Sequence, residues 1–394
     1  MAMNKNFQSK MEFAAFCFLA VASLSLAVLA YSFGGVDFGV YYAAGRVFLQ
    51  GGNPYEYSQL AGEIVSSTGE LNNPYYYAPW FTWGVSLLAI LPFQTARMIW
   101  SALNFVFWFW SLANLSGLVG WHSTGWRRWG IYLYATILFA WSTWGSEQVG
   151  ILVLLFFIAV LIAHEKKNWM AMGVWMALSL FKPNIAAFPV FMLVVWLVLR
   201  GSWKPVAWMV LTLFATLGVS MVVSPGWYLA LLQPDKLTGL SYTLNEAGEV
   251  QIARYTTTLL DWLRSYGITD TPAYVVYAFV VLVGLLASGW LARREQSVVR
   301  VLAYLFLINF AFIPYALFYD YVCMTLTLFF INFELAKIPP LIWAQRLMNG
   351  LIVASLFVGA DISHRYWIVV ILSVSAALGL YGWKRKTDAP VTSS

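Results

Sequence analysis

The sequence predicts an all-α polytopic membrane protein, and three observations carry that prediction. Of 394 residues, 61% are hydrophobic and only 10% charged, where a soluble domain of this length would be about one-quarter charged. Apolar runs of membrane-spanning length recur, Phe13–Phe33 and Pro205–Val223 among them. Two long polar segments, 34–78 and 224–272, interrupt an otherwise apolar chain.

Hydrophobic patterning places spans near 12–33, 79–92, 96–118, 129–144, 148–164, 169–181, 184–200, 205–223, 273–292, 298–314, 318–335, 341–359 and 366–383. About 12–13 transmembrane helices in a single domain over 1–383 are expected, with 384–394 as a short disordered tail. Lys5 and Lys10 precede the first run. That run is too long for a signal peptide and lacks an A-x-A site, so a retained helix with a cytoplasmic N-terminus is expected. Segment 34–78 would then lie outside, and Lys166/Lys167, Arg200/Lys204, Arg293/Arg294/Arg300 and Lys384–Lys386 inside. A difficulty follows. Seven candidate spans separate the two polar segments, so they share a side only if one candidate does not cross. The short runs 80–91 and 169–181 are the suspects.

Cys17 and Cys323 fall in or beside apolar helices, and His122, His164 and His364 are far apart. No disulfide framework, metal site or cofactor is expected. The net charge of +6 sits in loops as topology signals, without the basic stripe that nucleic-acid binding requires.

The polar residues inside this apolar chain are the candidates for chemistry. Asp37 opens an expected helix over 37–50 lying along the interface, with Asp37, Tyr41, Ala44 and Phe48 near one face. The acid either caps that helix or serves as a base, and the two roles are compatible. Asn53-Pro54-Tyr55 and Asn72–Pro79 read as turns. Tyr41, Tyr42, Tyr55, Tyr76 and Tyr77 offer flat faces and hydroxyls suited to a sugar ring, or else form an interfacial aromatic belt. Glu147 and Gln148 punctuate two spans, as first-turn residues or as ligands. Lys182 stands at a break between apolar segments, where it snorkels or binds an anionic group. Tyr319 and Asp320 follow Pro314, and Asp320 needs water or a partner such as Lys182. Arg254 in the second polar segment could hold phosphate.

Taken in order, these segments resemble the polyprenyl-phosphate-mannose-dependent mannosyltransferases of glycosyltransferase family 87, in the GT-C fold group. The likeness lies in Asp37–Gly45 with Leu49–Gly51 and Asn53–Tyr55, then Tyr77–Pro79, Leu91-Pro92, the Gly145–Gly150 punctuation, Lys182-Pro183 and Tyr319-Asp320. That punctuation usually reads Gly-Gln in the family; here it is Glu147-Gln148. The second polar segment lacks the family's Asn-Gln-Ser signature.

The resemblance implies a GT-C-type bundle and inverting transfer of mannose from a lipid phosphate to an acceptor hydroxyl outside the cell membrane. It implies Asp37 as general base, with Tyr41, Tyr42, Asn53, Tyr55, Tyr76, Tyr77, Glu147, Gln148, Lys182, Arg254, Tyr319 and Asp320 as substrate-binding candidates. Its partners would be a polyprenyl-phosphate-linked sugar, a glycolipid or glycan acceptor, and membrane lipids. A transporter or flippase and a non-catalytic scaffold are the rival readings. Transport is disfavoured because the notable charges cluster at span ends and in loops rather than at the bilayer centre.

Overall fold

The computed structural model describes residues 37–68, 75–121, 126–224, 242–244, 250–252, 256–357 and 362–388, with isolated positions elsewhere. The expected first span, 12–33, lies outside the described residues, as does most of 224–255.

The first polar segment is two helices, α1 (Asp37–Leu49) and α2 (Tyr57–Thr68). An exposed helix along the interface would show one buried face. Instead α1 is buried on every side from Phe38 through Gly45 and again at Val47. It is wedged against α3 (Pro79–Ala89) and α4 (Phe93–Leu118). Gly45 permits the approach: a Cβ there would stand 2.9 Å from the Ala89 Cβ and 3.0 Å from the Ser86 Cα. The Phe38 ring stacks on Trp100 of α4 with centroids 5.6 Å apart, and Arg46 pairs with Glu63 of α2 at 3.2 Å.

The chain then runs back and forth. A helix Trp126–Ala135 (α5), a π-turn Thr136–Ala140 and α6 (Trp141–Gly145) lead to α7 (Gly150–Glu165). Asn168 caps α8 (Trp169–Ser179), its side chain accepting from the Ala171 N–H, and Pro183 opens α9 (Pro183–Leu199) where no N–H is needed. Next come α10 (Trp203–Val223) and a hairpin of two three-residue strands, β1 (Tyr242–Leu244) and β2 (Val250–Ile252). They pair antiparallel with Tyr242 opposite Ile252. Thr258 caps α11 (Leu259–Ser265). The remainder is α12 (Asp270–Arg294), α13 (Val298–Phe312), a 3₁₀ turn Phe318–Met324, α14 (Thr325–Ala336), α15 (Ile342–Ser355) and α16 (Trp367–Asp388). The last helix passes residue 383, and the rest of the expected tail, 389–394, lies outside the described residues.

Among the described residues, α4, α10 and α12 are long and apolar enough to cross a membrane by length and composition; other apolar helices are shorter and pack in the interior. The fold is the expected all-α membrane architecture.

The bundle has two chemically distinct ends. At one end lie α1, the Glu147-Gln148 turn, Lys182 and the 3₁₀ turn, joined by the bonds described below. At the other, Arg200 donates to the Ala292 carbonyl at 2.7 Å, Arg300 pairs with Glu295 at 2.9 Å, and Lys337 pairs with Glu334 at 3.0 Å. Segment 79–92, one of the two short candidates, is tied at both ends to residues of the α1 end: the Ala78 N–H donates to the Phe181 carbonyl and the Leu91 carbonyl accepts from the Tyr42 hydroxyl. Its 11 residues reach only ~16 Å, about half a hydrocarbon core.

Candidate active site

Four polar side chains from four separate parts of the sequence form one continuous chain at the α1 end. Gln148 Nε2 donates to Asp37 Oδ2 at 2.6 Å. Gln148 Oε1 accepts from Lys182 Nζ at 3.1 Å and from the Tyr77 hydroxyl at 3.2 Å. Lys182 Nζ also donates to Asp320 Oδ1 at 2.6 Å. With its single proton committed to Gln148, Tyr77 accepts at 2.9 Å from Tyr41. These partners fix the amide orientation: two donors face its oxygen and a carboxylate faces its nitrogen.

Local structure explains how each group arrives. Asp37 is the first residue of α1, where free backbone N–H groups favour negative charge. It is only half-buried, and its second oxygen, Oδ1, has no hydrogen-bond partner among the described residues. Lys182 ends the α8–α9 break and is buried to 6% exposure, its ammonium 5.1 Å from the Tyr319 ring centroid. Asp320 sits in the first turn of the 3₁₀ segment, where Oδ2 accepts the Leu317 N–H at 3.1 Å and faces Asn184 Nδ2 at 3.5 Å. The second polar segment braces this turn: the Thr257 N–H donates to the Ala316 carbonyl at 2.8 Å and the Tyr321 hydroxyl to the Thr257 carbonyl at 2.6 Å.

The Glu147-Gln148 turn is unusual. The Gln148 N–H bonds the Thr143 carbonyl at 2.9 Å and the Glu147 N–H bonds the Trp144 carbonyl at 3.1 Å, the two bonds of a Schellman helix end. The penultimate position of that motif adopts left-handed backbone and is normally glycine. Here it is Glu147, at φ 52°, a conformation that costs a non-glycine residue on the order of 1–2 kcal/mol. Its carboxylate is held by Arg97 of α4 at 2.6 Å and its carbonyl by the Trp100 indole N–H at 2.9 Å. The other carboxylate oxygen, Oε2, is buried without a partner among the described residues.

The electrostatics follow from burial and neighbours. Withdrawal from water is the largest influence on Asp37 and pushes its carboxyl up to about 6; the Gln148 hydrogen bond and the Lys182 charge oppose the rise, and Asp320 adds to it. Burial likewise pushes Glu147 up to about 7 against the pull of Arg97. For Lys182 burial works against the charge, but the adjacent Asp320 carboxylate outweighs it and holds the ammonium protonated, above the ordinary lysine value. Burial keeps the Tyr41 phenol protonated, reinforced by Tyr77 and Asp37.

Of the residues singled out from the sequence, Asp37, Tyr41, Tyr77, Gln148, Lys182, Tyr319 and Asp320 come together here, with Glu147 on the adjoining turn. Others hold the frame. Tyr42 donates to the Leu91 carbonyl at 2.8 Å, Tyr55 to the Tyr77 carbonyl at 2.6 Å, and Asn53 Oδ1 accepts the Tyr55 N–H at 3.1 Å within its turn. Tyr76 is half-buried beside them. Arg254 lies outside the described residues. Among the described residues no group of His, Cys, Asp and Glu could hold a metal ion.

The model of glycosyltransferase family 87 matches residues 75–318, well over half of the chain. The chain belongs to glycosyltransferase family 87. No curated protein and no solved structure matches it. The matched span of this membrane glycosyltransferase contains Tyr77, Glu147, Gln148 and Lys182, whereas Asp37 and Asp320 lie outside it. The hydrogen-bonded chain nevertheless ties both acids to Gln148 and Lys182. Family membership replaces the transporter and scaffold readings. Arg97 and Asn184 were not singled out from the sequence. The signal for Arg97 was a lone guanidinium in the second turn of an apolar helix, which implies a buried acid nearby.

Proposed function

We propose that this glycosyltransferase moves one sugar, mannose, from a polyprenyl-phosphate donor to a hydroxyl of a glycolipid or glycan acceptor, with inversion. The observation that carries the reading is a partly buried carboxylate with one oxygen fixed by Gln148 and the other without a hydrogen-bond partner among the described residues. In the step proposed, the acceptor hydroxyl gives its proton to Asp37 Oδ1 as its oxygen bonds the anomeric carbon. The carbon–oxygen bond to the phosphate breaks, and the polyprenyl phosphate leaves with the electron pair. A carboxyl with a pKa of about 6 is roughly nine-tenths ionised at pH 7 and close to the ideal strength for a general base, worth about 10²–10⁴-fold. No metal or cofactor is required by this scheme.

Lys182 serves two parts. It fixes the Gln148 amide, and of its three N–H donors two are committed, to Gln148 and Asp320. The third is available to the leaving phosphate, with Arg254 as the second candidate cation. The unpartnered Glu147 Oε2 is suited to accept from a sugar hydroxyl, which would relieve a buried, unsatisfied oxygen. Tyr41, Tyr42, Asn53, Tyr55, Tyr76, Tyr77 and Tyr319 form the aromatic and turn framework for the sugar ring.

Orientation follows from charge. Lys166, Lys167, Arg200, Arg293 and Arg294 fall at the end of the bundle away from Asp37, and basic loops stay in the cytoplasm. The site then faces outward from a multi-pass protein of the cell membrane. The test is incubation of the purified chain with polyprenyl-phosphate-mannose and a membrane glycolipid extract, with products read by mass spectrometry and anomeric configuration by NMR. A hexose-extended acceptor of inverted configuration is expected. A retained configuration, or no product from any polyprenyl-phosphate hexose, overturns the reading.

A further inference from the structure

A cavity of about 760 Å³ opens at the basic end of the bundle, where α5, α14 and α15 meet beyond the end of α4. It is remote from Asp37. Arg97 and Trp121 are 24 positions apart along and just past α4, which sets the two sites about 30 Å from one another. Nothing in the transfer step uses it.

The lining has three zones. On α15, Ile342, Gln345, Arg346 and Asn349 recur at helical spacing and face the cavity. Trp343, Leu347 and Leu351 follow the same spacing on a neighbouring face and are 61%, 51% and 45% exposed, an exposed apolar stripe on the helix that lines the cavity. The inner wall is a lock of carboxamides. Asn349 Nδ2 donates to Asn332 Oδ1 at 2.7 Å, Gln345 Nε2 donates to the same oxygen at 3.2 Å, and the Tyr134 hydroxyl donates to the Asn349 carbonyl at 3.1 Å. Asn332 is buried to 1% exposure. Three amides ordered against each other make a rigid polar wall in an apolar bundle.

The rim is cationic. Lys337 lies 3.6 Å from the Phe333 ring centroid and pairs with Glu334 at 3.0 Å, while Arg300 pairs with Glu295 at 2.9 Å, so the uncompensated charge of the rim comes from Arg346. Arg346 has no ion-pair partner among the described residues and is exposed. The cavity is therefore flanked by an exposed apolar stripe, polar at depth and positive at its edge through Arg346. We propose that it binds the headgroup of an anionic phospholipid of the leaflet opposite the active site. The phosphate would lie against Arg346 and Lys337, the headgroup hydroxyls against Gln345 and Asn349, and an acyl chain along Trp343 and Leu347. Basic pockets between membrane helices on the cytoplasmic side commonly take such headgroups.

The test uses the full-length chain in nanodiscs of phosphatidylglycerol mixed with phosphatidylcholine, followed by native mass spectrometry of the released protein. One retained phosphatidylglycerol per chain is expected. Lys337→Gln with Arg346→Gln should weaken retention by about 10–30-fold, while sugar transfer persists because neither residue touches the Asp37 site. Both side chains are exposed, and an unchanged melting temperature will show that the variant is folded. Equal retention of phosphatidylcholine overturns the proposal, as does retention that survives the double substitution. Displacement of the lipid by millimolar inorganic phosphate alone would also overturn it, because the site would then belong to a soluble phosphate.

Discussion

Replacing Gln148 by Glu puts a carboxylate where the amide now stands 2.6 Å from Asp37. Two such charges with centres about 4 Å apart repel by roughly 4 kcal/mol at an effective dielectric of 20, or about three pKa units. Lys182, 3.1 Å from the same side chain, offsets part of this, so the net rise expected for Asp37 is about 1–3 units. Its carboxyl, at about 6 in the native protein, would then be from half to almost wholly protonated at pH 7, and only the ionised fraction can accept a proton. The assay is the pH dependence of kcat/KM for sugar transfer. The acid limb should move upward, with activity at pH 7 down by about 2- to 90-fold across that range and recovered at higher pH. A limb that stays near pH 6 would refute the reasoning, because the group setting it would not be the one Gln148 touches. Wild-type activity at every pH would refute it too.

Three further outcomes follow from the same geometry. Lys182→Met leaves Asp320 buried without its cation and should cost about 3–5 kcal/mol; adding Asp320→Asn should recover part of the loss, and thermal unfolding in detergent with no recovery would contradict the pairing. Glu147→Gly relieves the left-handed strain, worth about 1–2 kcal/mol, but removes the carboxylate that pairs with Arg97 at 2.6 Å, so transfer should fall even where the melting temperature is unchanged; Glu147→Gln, which keeps shape without charge, separates the two effects. A Cβ at Gly173 would lie 2.4 Å from the Pro205 carbonyl oxygen and 2.6 Å from the Met209 nitrogen; Gly173→Ala should therefore destabilise the α8–α10 contact by about 1–3 kcal/mol, and an unchanged melting temperature would show that the helices part without cost.

The helical membrane class was legible because composition and apolar run length report it directly. The residues of the hydrogen-bonded cluster were legible one by one as candidates, since an ionisable group in an apolar chain must have a partner or a task. Their mutual arrangement was not. Asp37, Gln148, Lys182 and Asp320 come from four separate segments, and only tertiary packing joins them. The Asp320–Lys182 pair was foreseen as an alternative because few cations were within plausible reach. Arg97 escaped notice because it sits alone inside a spanning helix, with its partner Glu147 fifty positions away. The turn at Glu147 shows why a pattern can mislead. The family's Gly-Gln reads as a backbone requirement for positive φ, and this chain meets the requirement with a strained glutamate instead. Burial of α1 on all sides could not be read from its sequence, because small residues such as Ala43, Ala44 and Gly45 are compatible with lipid, water or close helix contact alike.

Asp37→Asn tests the central claim most directly, measured as transfer rate and melting temperature on the same preparation. The Asp37 carboxyl is raised in the folded state from its ordinary 3.8 to about 6. Its favourable contribution to folding is therefore full below the unfolded value and is lost as pH rises through about 6, so at pH 7 the ionised acid burdens the fold by up to about 3 kcal/mol. Asparagine should then leave the melting temperature at pH 7 equal or higher while transfer falls by 10²-fold or more. Transfer within a few-fold of wild type, from a variant that melts normally, would contradict the account.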